Sequence, residues 1–433
     1  MSYLEMIKQH PENKLALVDA GKEYTYGDII KLAEAIRQNA VFTEKAIFIH
    51  EEKIVDQLVT FLAYSGTATV PIIATSASKG QEFVIDHIPE AACMGVMTSG
   101  STGKSKLLWR SYRSWADFFP EQNRIFGVDD DTVIFCQGSL AFTGNMNIYM
   151  SILYAGATLI VTEKFRPKEW LRLMESYKVN TLYLIPSKLL LLPKVLTEPN
   201  QNIKHIIAGS QSMGRAEADK LLHIFPATEI TLYYGASEMN YITYIKDKDM
   251  TDDRTDIGLP FKGVNVSISD EEIFIDNNFH VEEIAMPFSL KDRGYIDSKG
   301  HLHFLGRTDD ILGVNGLKIS SQKIEMVLKE LPQVMEVKVL AIHKDDQDIL
   351  LAFMGTEMPD DSDTINLNAE KAEGVLAPTE ATNAQHMSKS EIIKLLKTSI
   401  LEEHEIPKHF IFLPSLPKNE SGKIDKRKLI SML

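Results

Sequence analysis

The chain has 433 residues, enough for two or three domains and too many for one hydrophobic core. Its 44% hydrophobic and 24% charged content is ordinary for a globular enzyme, and its net charge of −14 weighs against a nucleic-acid backbone as partner. Two cysteines, Cys93 and Cys136, cannot form a disulfide scaffold, and no CxxC or Cys/His cluster points to zinc; both are expected as small apolar residues in a reducing compartment. The opening residues show no charged-then-apolar leader pattern, and no apolar run reaches the ~18 residues of a membrane span. A cytoplasmic protein without a transmembrane segment is expected.

In chain order, "TYGDIIKLAEAIRQNA" predicts a helix capped by Thr25, and "EKAIFIHE" a short strand. "QLVTFLAYSGTATVPII" reads as a helix, a stop at Gly66 and a strand. The rhythm repeats. "DTVIFCQ", "ATLIVTE", "NTLYLIPS", "IKHIIAGS" and "EITLYYG" read as strands. Between them "NMNIYMSILYAG", which ends at Gly156, "PKEWLRLMESYKV" and "RAEADKLLHIF" read as helices. Apolar strands alternating with amphipathic helices predict a largely parallel sheet covered by helices, an α/β fold. After Gly235 the segments "VNVSISDEEIFIDN" and "RGYIDSKGHLHFLGR" predict a β-rich antiparallel portion. From about Asp310 a smaller α+β segment is expected, interrupted by a polar, weakly patterned loop over residues 356–388.

Chemistry first announces itself at "MTSGSTGKSKLL", Met97–Leu108. Glycines let a backbone approach an anion, hydroxyls add donors and lysines add charge, so Thr98, Ser99, Gly100, Ser101, Thr102, Gly103, Lys104, Ser105 and Lys106 read as a phosphate-holding loop. The Walker pattern requires a glycine five residues before Gly103, and Thr98 stands there. A dinucleotide G-x-G-x-x-G fingerprint is also absent.

The stretch resembles the phosphate-loop motif of the adenylate-forming superfamily, which includes acyl-CoA synthetases and the adenylation domains of peptide synthetases. Further motifs follow in the family's order. "YYGASE" resembles the Y-G-x-T/S-E element and supplies Tyr234, Gly235, Ser237 and Glu238. The resemblance implies that Tyr234 stacks by adenine, Ser237 meets phosphate, and Glu238 helps hold Mg²⁺ together with Thr102. "DIGLP" resembles the G-x-P turn that follows. "SLKDRGYID" resembles the T-G-D element, making Asp292 the ribose acceptor, with Leu290-Lys291 in place of Thr-Gly. "LGRTDDILGVNGLKIS" resembles the hinge motif: Arg307 a ribose contact, Asp309 the hinge, Gly316 on the loop lining a thiol tunnel. Gly313 falls where a lysine is common. "LPKNESGKIDKRKL" resembles P-K-x-x-S-G-K, making Lys423 the catalytic lysine. Serine at 105 replaces the family's proline, a change expected to alter loop stiffness more than chemistry.

By this resemblance the chain has a large nucleotide- and substrate-binding domain, residues 1–308, and a small mobile domain, residues 309–433, which carries Lys423. The expected activity is ATP-dependent adenylation of a carboxylic acid, then transfer to coenzyme A or to the phosphopantetheine thiol of a separate carrier protein. A catalytically idle ATP-binding paralogue is the alternative from another class. The segment Gly138–Met146, which includes Phe142, has no acidic residue to pair an α-ammonium, so a fatty, aryl or similar uncharged-tailed acid is expected. Gly209 and Met213 are further pocket candidates. Ser210 falls where a glycine beside adenine is common, and its side chain narrows the site.

Overall fold

The structure, a computed structural model, describes residues 2–40, 42, 44–74, 83, 85–99, 105–196, 198–314, 317–329, 331, 334–344, 347–356, 389–397, 399, 401–418 and 424–433. The chain divides into two compact units: residues 1–290 with 294–304, and residues 291–293 with 305–433.

Among the described residues, the first unit is built on a nine-stranded sheet. Its order is Leu259–Pro260, Asn240–Lys246, Glu229–Ala236, His205–Gly209, Thr181–Tyr183, Val133–Gln137, Thr158–Thr162, Leu15–Asp19 and Lys22–Thr25. The six strands from Glu229–Ala236 to Leu15–Asp19 run parallel, and antiparallel strands close both edges. Side chains two apart on a strand share a face, and the two apolar layers divide accordingly. Ile134, Cys136, Tyr183 and Ile207 enter one layer; Phe135, Leu182, Ile206 and Ala208 enter the other. Sheets buried on both faces read as continuous apolar runs, which is why "VIFCQ" and "HIIAG" lack alternation.

The expected helices form where their signals lie. Tyr26–Asn39 starts at Thr25 with a complete capping box: the Thr25 hydroxyl accepts from the Asp28 N–H, and the Asp28 carboxylate accepts from the Thr25 N–H. Thr143–Ala155 ends at Gly156, whose φ of 75° is the left-handed cap geometry that glycine adopts without strain. A second, four-stranded sheet comprises Ala46–Ile49, Val70–Ile73, Ala92–Ser99 and Ser105–Ser111, the last two strands being those that flank the phosphate-loop motif in sequence. A third, also four-stranded, comprises Val264–Ser269, Glu272–Asn277, Phe288–Ile296 and Leu302–Arg307, matching the β-rich portion read after Gly235.

In the second unit the hairpin Ile311–Val314 with Leu317–Ser320 precedes helix Ser321–Lys329. A three-stranded sheet follows: Glu336–Lys344, Gln347–Gly355 and His409–Leu413, the first pair antiparallel and the second parallel. Val337, Val339, Leu350 and Ala352 pack on helices Ser321–Lys329 and Lys389–Lys397, while Leu351 and Phe353 pack with Leu416 and Leu429 on the opposite face. The loop expected over residues 356–388 lies, but for Thr356, outside the described residues.

Candidate active site

Strands Ala92–Ser99 and Ser105–Ser111 are antiparallel, with Thr98 opposite Lys106 and Ser99 opposite Ser105. The motif is therefore entered and left by strands. A Walker loop leads from a strand into a helix, so the hairpin agrees with the exclusion made at Thr98. Thr98 is half-buried and Lys106 is exposed. Gly100, Ser101, Thr102, Gly103 and Lys104 lie outside the described residues, as do the side chains of Ser99 and Ser105.

Tyr234 and Gly235 lie near the end of strand Glu229–Ala236; Ser237 and Glu238 form the turn into Asn240–Lys246. The neighbouring parallel strand His205–Gly209 ends with Gly209 opposite Tyr233, and Ser210 follows it at φ 65°. Ser210, Tyr234, Ser237 and Glu238 are thus carried by the carboxyl ends of two adjacent strands or the turns that follow them. That edge is where α/β sheets form ligand crevices. Tyr234 is half-buried beside Phe304, ring centroids 5.7 Å apart.

Phe142 is the N-cap residue of helix Thr143–Ala155. Its segment is held by Gln57, whose Oε1 accepts from the Ser139 hydroxyl at 2.8 Å and the Leu140 N–H at 3.1 Å. The Thr143 hydroxyl donates to the Met97 carbonyl at 3.5 Å, joining this helix to the strand that leads into the phosphate-loop motif. Met213 falls elsewhere. It is buried in the apolar layer of Leu189, Ala208 and Leu232, the sheet face opposite to that of Tyr183 and Tyr233.

Sequence reading missed Arg110. On the strand leaving the loop it shares a face with Leu108 and sits opposite Met94, in a row otherwise apolar, and is 0% exposed. Its Nη2 donates to the Ser237 carbonyl at 2.6 Å, and its Nη1 to the Phe279 carbonyl at 3.0 Å and the Ser114 hydroxyl at 3.2 Å. Burial pulls its pKa down to about 10, against the opposing field of Tyr3, Glu238, Cys93 and Glu282, so it stays charged at neutral pH. The Trp109 carbonyl accepts from the Glu282 N–H, and the Glu238 carbonyl from the Val281 N–H. Arg110 thereby stitches the loop's exit strand, the Ser237–Glu238 turn and segment Phe279–Glu282 into one frame. The signal for it was a charged residue at an inward position of an otherwise apolar strand row.

Tyr183, Tyr233 and Tyr241 are also buried here. Burial pushes the Tyr233 phenol up to about 12, partly offset by hydrogen bonding with Tyr183 and Ser210. In the second unit, Arg307 Nε meets Asp292 Oδ1 at 3.2 Å; the carboxylate is 7% exposed and the guanidinium side chain 48%. Asp310 and Lys426 pair at 2.6 Å. Lys423 and Gly316, and the side chain of Asp309, lie outside the described residues. Lys418 and Ile424, which flank Lys423, form an isolated antiparallel bridge.

No group of three His, Cys, Asp or Glu side chains able to hold a metal occurs among the described residues. The half-buried Glu238 carboxylate suits Mg²⁺ shared with nucleotide phosphates, the usual mode for that ion. Among the described residues no helix is long and apolar enough to cross a membrane.

The family described as AMP-binding enzyme matches residues 89–275, from the strand before the phosphate-loop motif to the β-rich portion. The chain is 26% identical over 354 residues to an uncharacterized acyl–CoA ligase, YhfT, of Bacillus subtilis, covering 77% of this chain and 67% of that one. It is 25% identical over 363 residues to a D-alanine–D-alanyl carrier protein ligase of Lactococcus lactis, covering 77% and 68%. Its fold matches the o-succinylbenzoate coenzyme A synthetase MenE of Bacillus subtilis, solved with ATP and magnesium ion. The TM-score is 0.79 at 15% identity, over 99% of each chain. Residues 89–275 thus match the AMP-binding enzyme family, and the chain is similar to AMP-forming acid–thiol ligases of the acyl-CoA synthetase type.

Proposed function

We propose that the protein activates an uncharged-tailed carboxylic acid, fatty, aryl or similar, and passes it to coenzyme A. In the first step a carboxylate oxygen attacks the α-phosphorus of ATP, the α–β phosphoanhydride bond breaks and pyrophosphate leaves. In the second, the thiol sulfur attacks the acyl carbon, AMP leaves, and the thiol proton passes to solvent. No enzyme nucleophile is required. Catalysis is positioning together with stabilisation of developing negative charge.

The observation that carries this reading is the placement of Ser210, just past one strand, and Tyr234, near the end of the adjacent one, with Ser237 and Glu238 on the next turn and Arg110 bracing that turn from the loop's exit strand. The loop of residues 98–106 is assigned to the pyrophosphate portion, Tyr234 to adenine, and Asp292 and Arg307 to ribose. Bound Mg²⁺, held by Glu238 and Thr102, would neutralise charge on the leaving group. Lys423 is assigned to the reacting oxygens as a compact cation on a long stem. Residues 309–433 are assigned as the mobile domain, with Asp309 as hinge and Gly316 on the thiol path.

A neutral tail is supported by Gly138–Met146, which offers no carboxylate to an α-ammonium. The likeness to a carrier-protein ligase supports a second acceptor, a carrier phosphopantetheine. ATP–pyrophosphate exchange with a panel of acids tests the first step, and adding coenzyme A or a holo-carrier identifies the acceptor. Exchange with at least one acid is expected. ATP binding without exchange for any acid would point instead to an idle regulatory paralogue.

A further inference from the structure

Gly209 is the residue of strand His205–Gly209 that would present a side chain to the helix-covered face nearest the adenine edge. The space above it is filled. Tyr233, opposite Gly209 on the next strand, lays its ring so close that a Cβ at Gly209 would stand 2.3 Å from the ring carbon bearing the hydroxyl. Tyr183 rises from the same face two positions back, opposite Ile207, and its ring is parallel to that of Tyr233 within 5°. The two hydroxyls meet at 2.8 Å in a buried hydrogen bond. From the helix side the closure is completed at Gly144, where a Cβ would stand 2.9 Å from the Tyr183 hydroxyl and 3.7 Å from that of Tyr233. Tyr241 backs the wall, its ring centroid 4.4 Å from that of Tyr233.

We propose that the hydrogen-bonded pair Tyr183–Tyr233, wedged between Gly144 and Gly209, forms the end wall of the acyl pocket and confines the substrate to short aliphatic carboxylic acids. The proposal rests on the adenylation reading above and on Phe142 and Gly209 as pocket residues. It narrows the acid class to its short end. A tail that ran inward over Gly209 would have to displace the Tyr233 ring and break its bond to Tyr183. Phe126 and Tyr241 stand against that ring and leave it no free side to turn toward, with centroids 5.9 Å and 4.4 Å away. A hydrophobic wall discriminates by about tenfold or more per methylene it must accommodate.

The test is kcat/KM for ATP–pyrophosphate exchange with acetate, propionate, butyrate, hexanoate, octanoate and benzoate, in the wild type and in Tyr233→Ala, Tyr233→Leu and Tyr183→Phe. Wild type is expected to favour the three shortest acids over octanoate by at least about tenfold. Tyr233→Ala, or Tyr233→Leu should the alanine variant fail to fold, is expected to move that ratio toward octanoate by about tenfold or more. Tyr183→Phe, which keeps the ring and loses the hydrogen bond, is expected to move it less. A wild-type preference for octanoate or benzoate would overturn the wall, as would a folded Tyr233 variant with an unchanged length profile. Exchange with none of the acids would remove the adenylation reading itself, and the wall with it.

Discussion

Arg110 donates from Nη2 to the Ser237 carbonyl at 2.6 Å, from a site where the guanidinium has no access to solvent. A buried cation held mostly by carbonyls is an expensive arrangement. Here it ties the strand leaving the phosphate loop to the turn that carries Glu238. Arg110→Met would leave the Ser237 and Phe279 carbonyls without this donor, so a loss of roughly 2–4 kcal/mol is expected by denaturant unfolding. Arg110→Lys restores charge without the planar fork and is expected to recover part of the stability. In the folded Lys variant the KM for ATP should rise more than the KM for the acid. Equal changes in both would reduce Arg110 to a packing role.

Two half-buried histidines, His10 and His205, set an acid limit for the large unit. The His205 ring lies against Gly127 and the His10 ring against Gly156, each glycine being the left-handed cap of a helix. Burial lowers the pKa of both below the ordinary histidine value. The unfolded chain then binds protons that the folded chain refuses, so the stabilisation is fully present above about pH 6.5 and is lost as pH falls from there toward the lowered folded values. Thermal unfolding followed from about pH 7.5 to about pH 5 should show Tm falling. Replacing both rings by phenylalanine should flatten that fall. An equally steep fall in the double variant would assign the acid sensitivity to other groups.

Lys423 is assigned to the adenylation step. Lys423→Ala is expected to reduce acyl-adenylate formation by at least roughly a hundred-fold, the worth of one contact to a developing oxyanion. Conversion of supplied acyl-adenylate to thioester should fall far less. Single-turnover measurements of the two steps check this, and parallel losses would remove the assignment.

Asp309 is assigned as the hinge, just after the Arg307 that meets Asp292. A proline there fixes φ and removes an N–H, and would restrict the proposed hinge rotation. Asp309→Pro is expected to separate the half-reactions, sparing one and depressing the other. Equal depression of both would count against the hinge.

Much of this architecture was legible because its signals are local. Thr25 and Asp28 announce their helix within four residues, and Gly156 closes another at the residue where the apolar pattern stops. The phosphate motif, the "YYGASE" turn and Arg307 were legible as contiguous strings. The short helices Tyr3–Ile7, Arg113–Ala116 and Phe119–Phe126 were not read, since a turn or two of helix offers too little periodicity. Arg110 was missed because its partners Ser237 and Phe279 lie more than a hundred residues away. The Tyr183–Tyr233 pair is likewise a product of register, its two strands flanking His205–Gly209 in the sheet and its residues standing 50 apart in sequence. Met213 shows the converse: it lies four residues past Gly209, yet packs in the opposite layer.

By the function proposed above, this chain cleaves ATP at the α-phosphorus on behalf of a carboxylic acid. Phosphorus NMR of the protein with ATP, Mg²⁺, coenzyme A and a mixture of short acids tests it most directly. AMP and pyrophosphate are expected in equal amounts, formed only when acid is present, with acyl-CoA accumulating in step. Production of ADP and phosphate, or turnover of ATP indifferent to the acid, would contradict it.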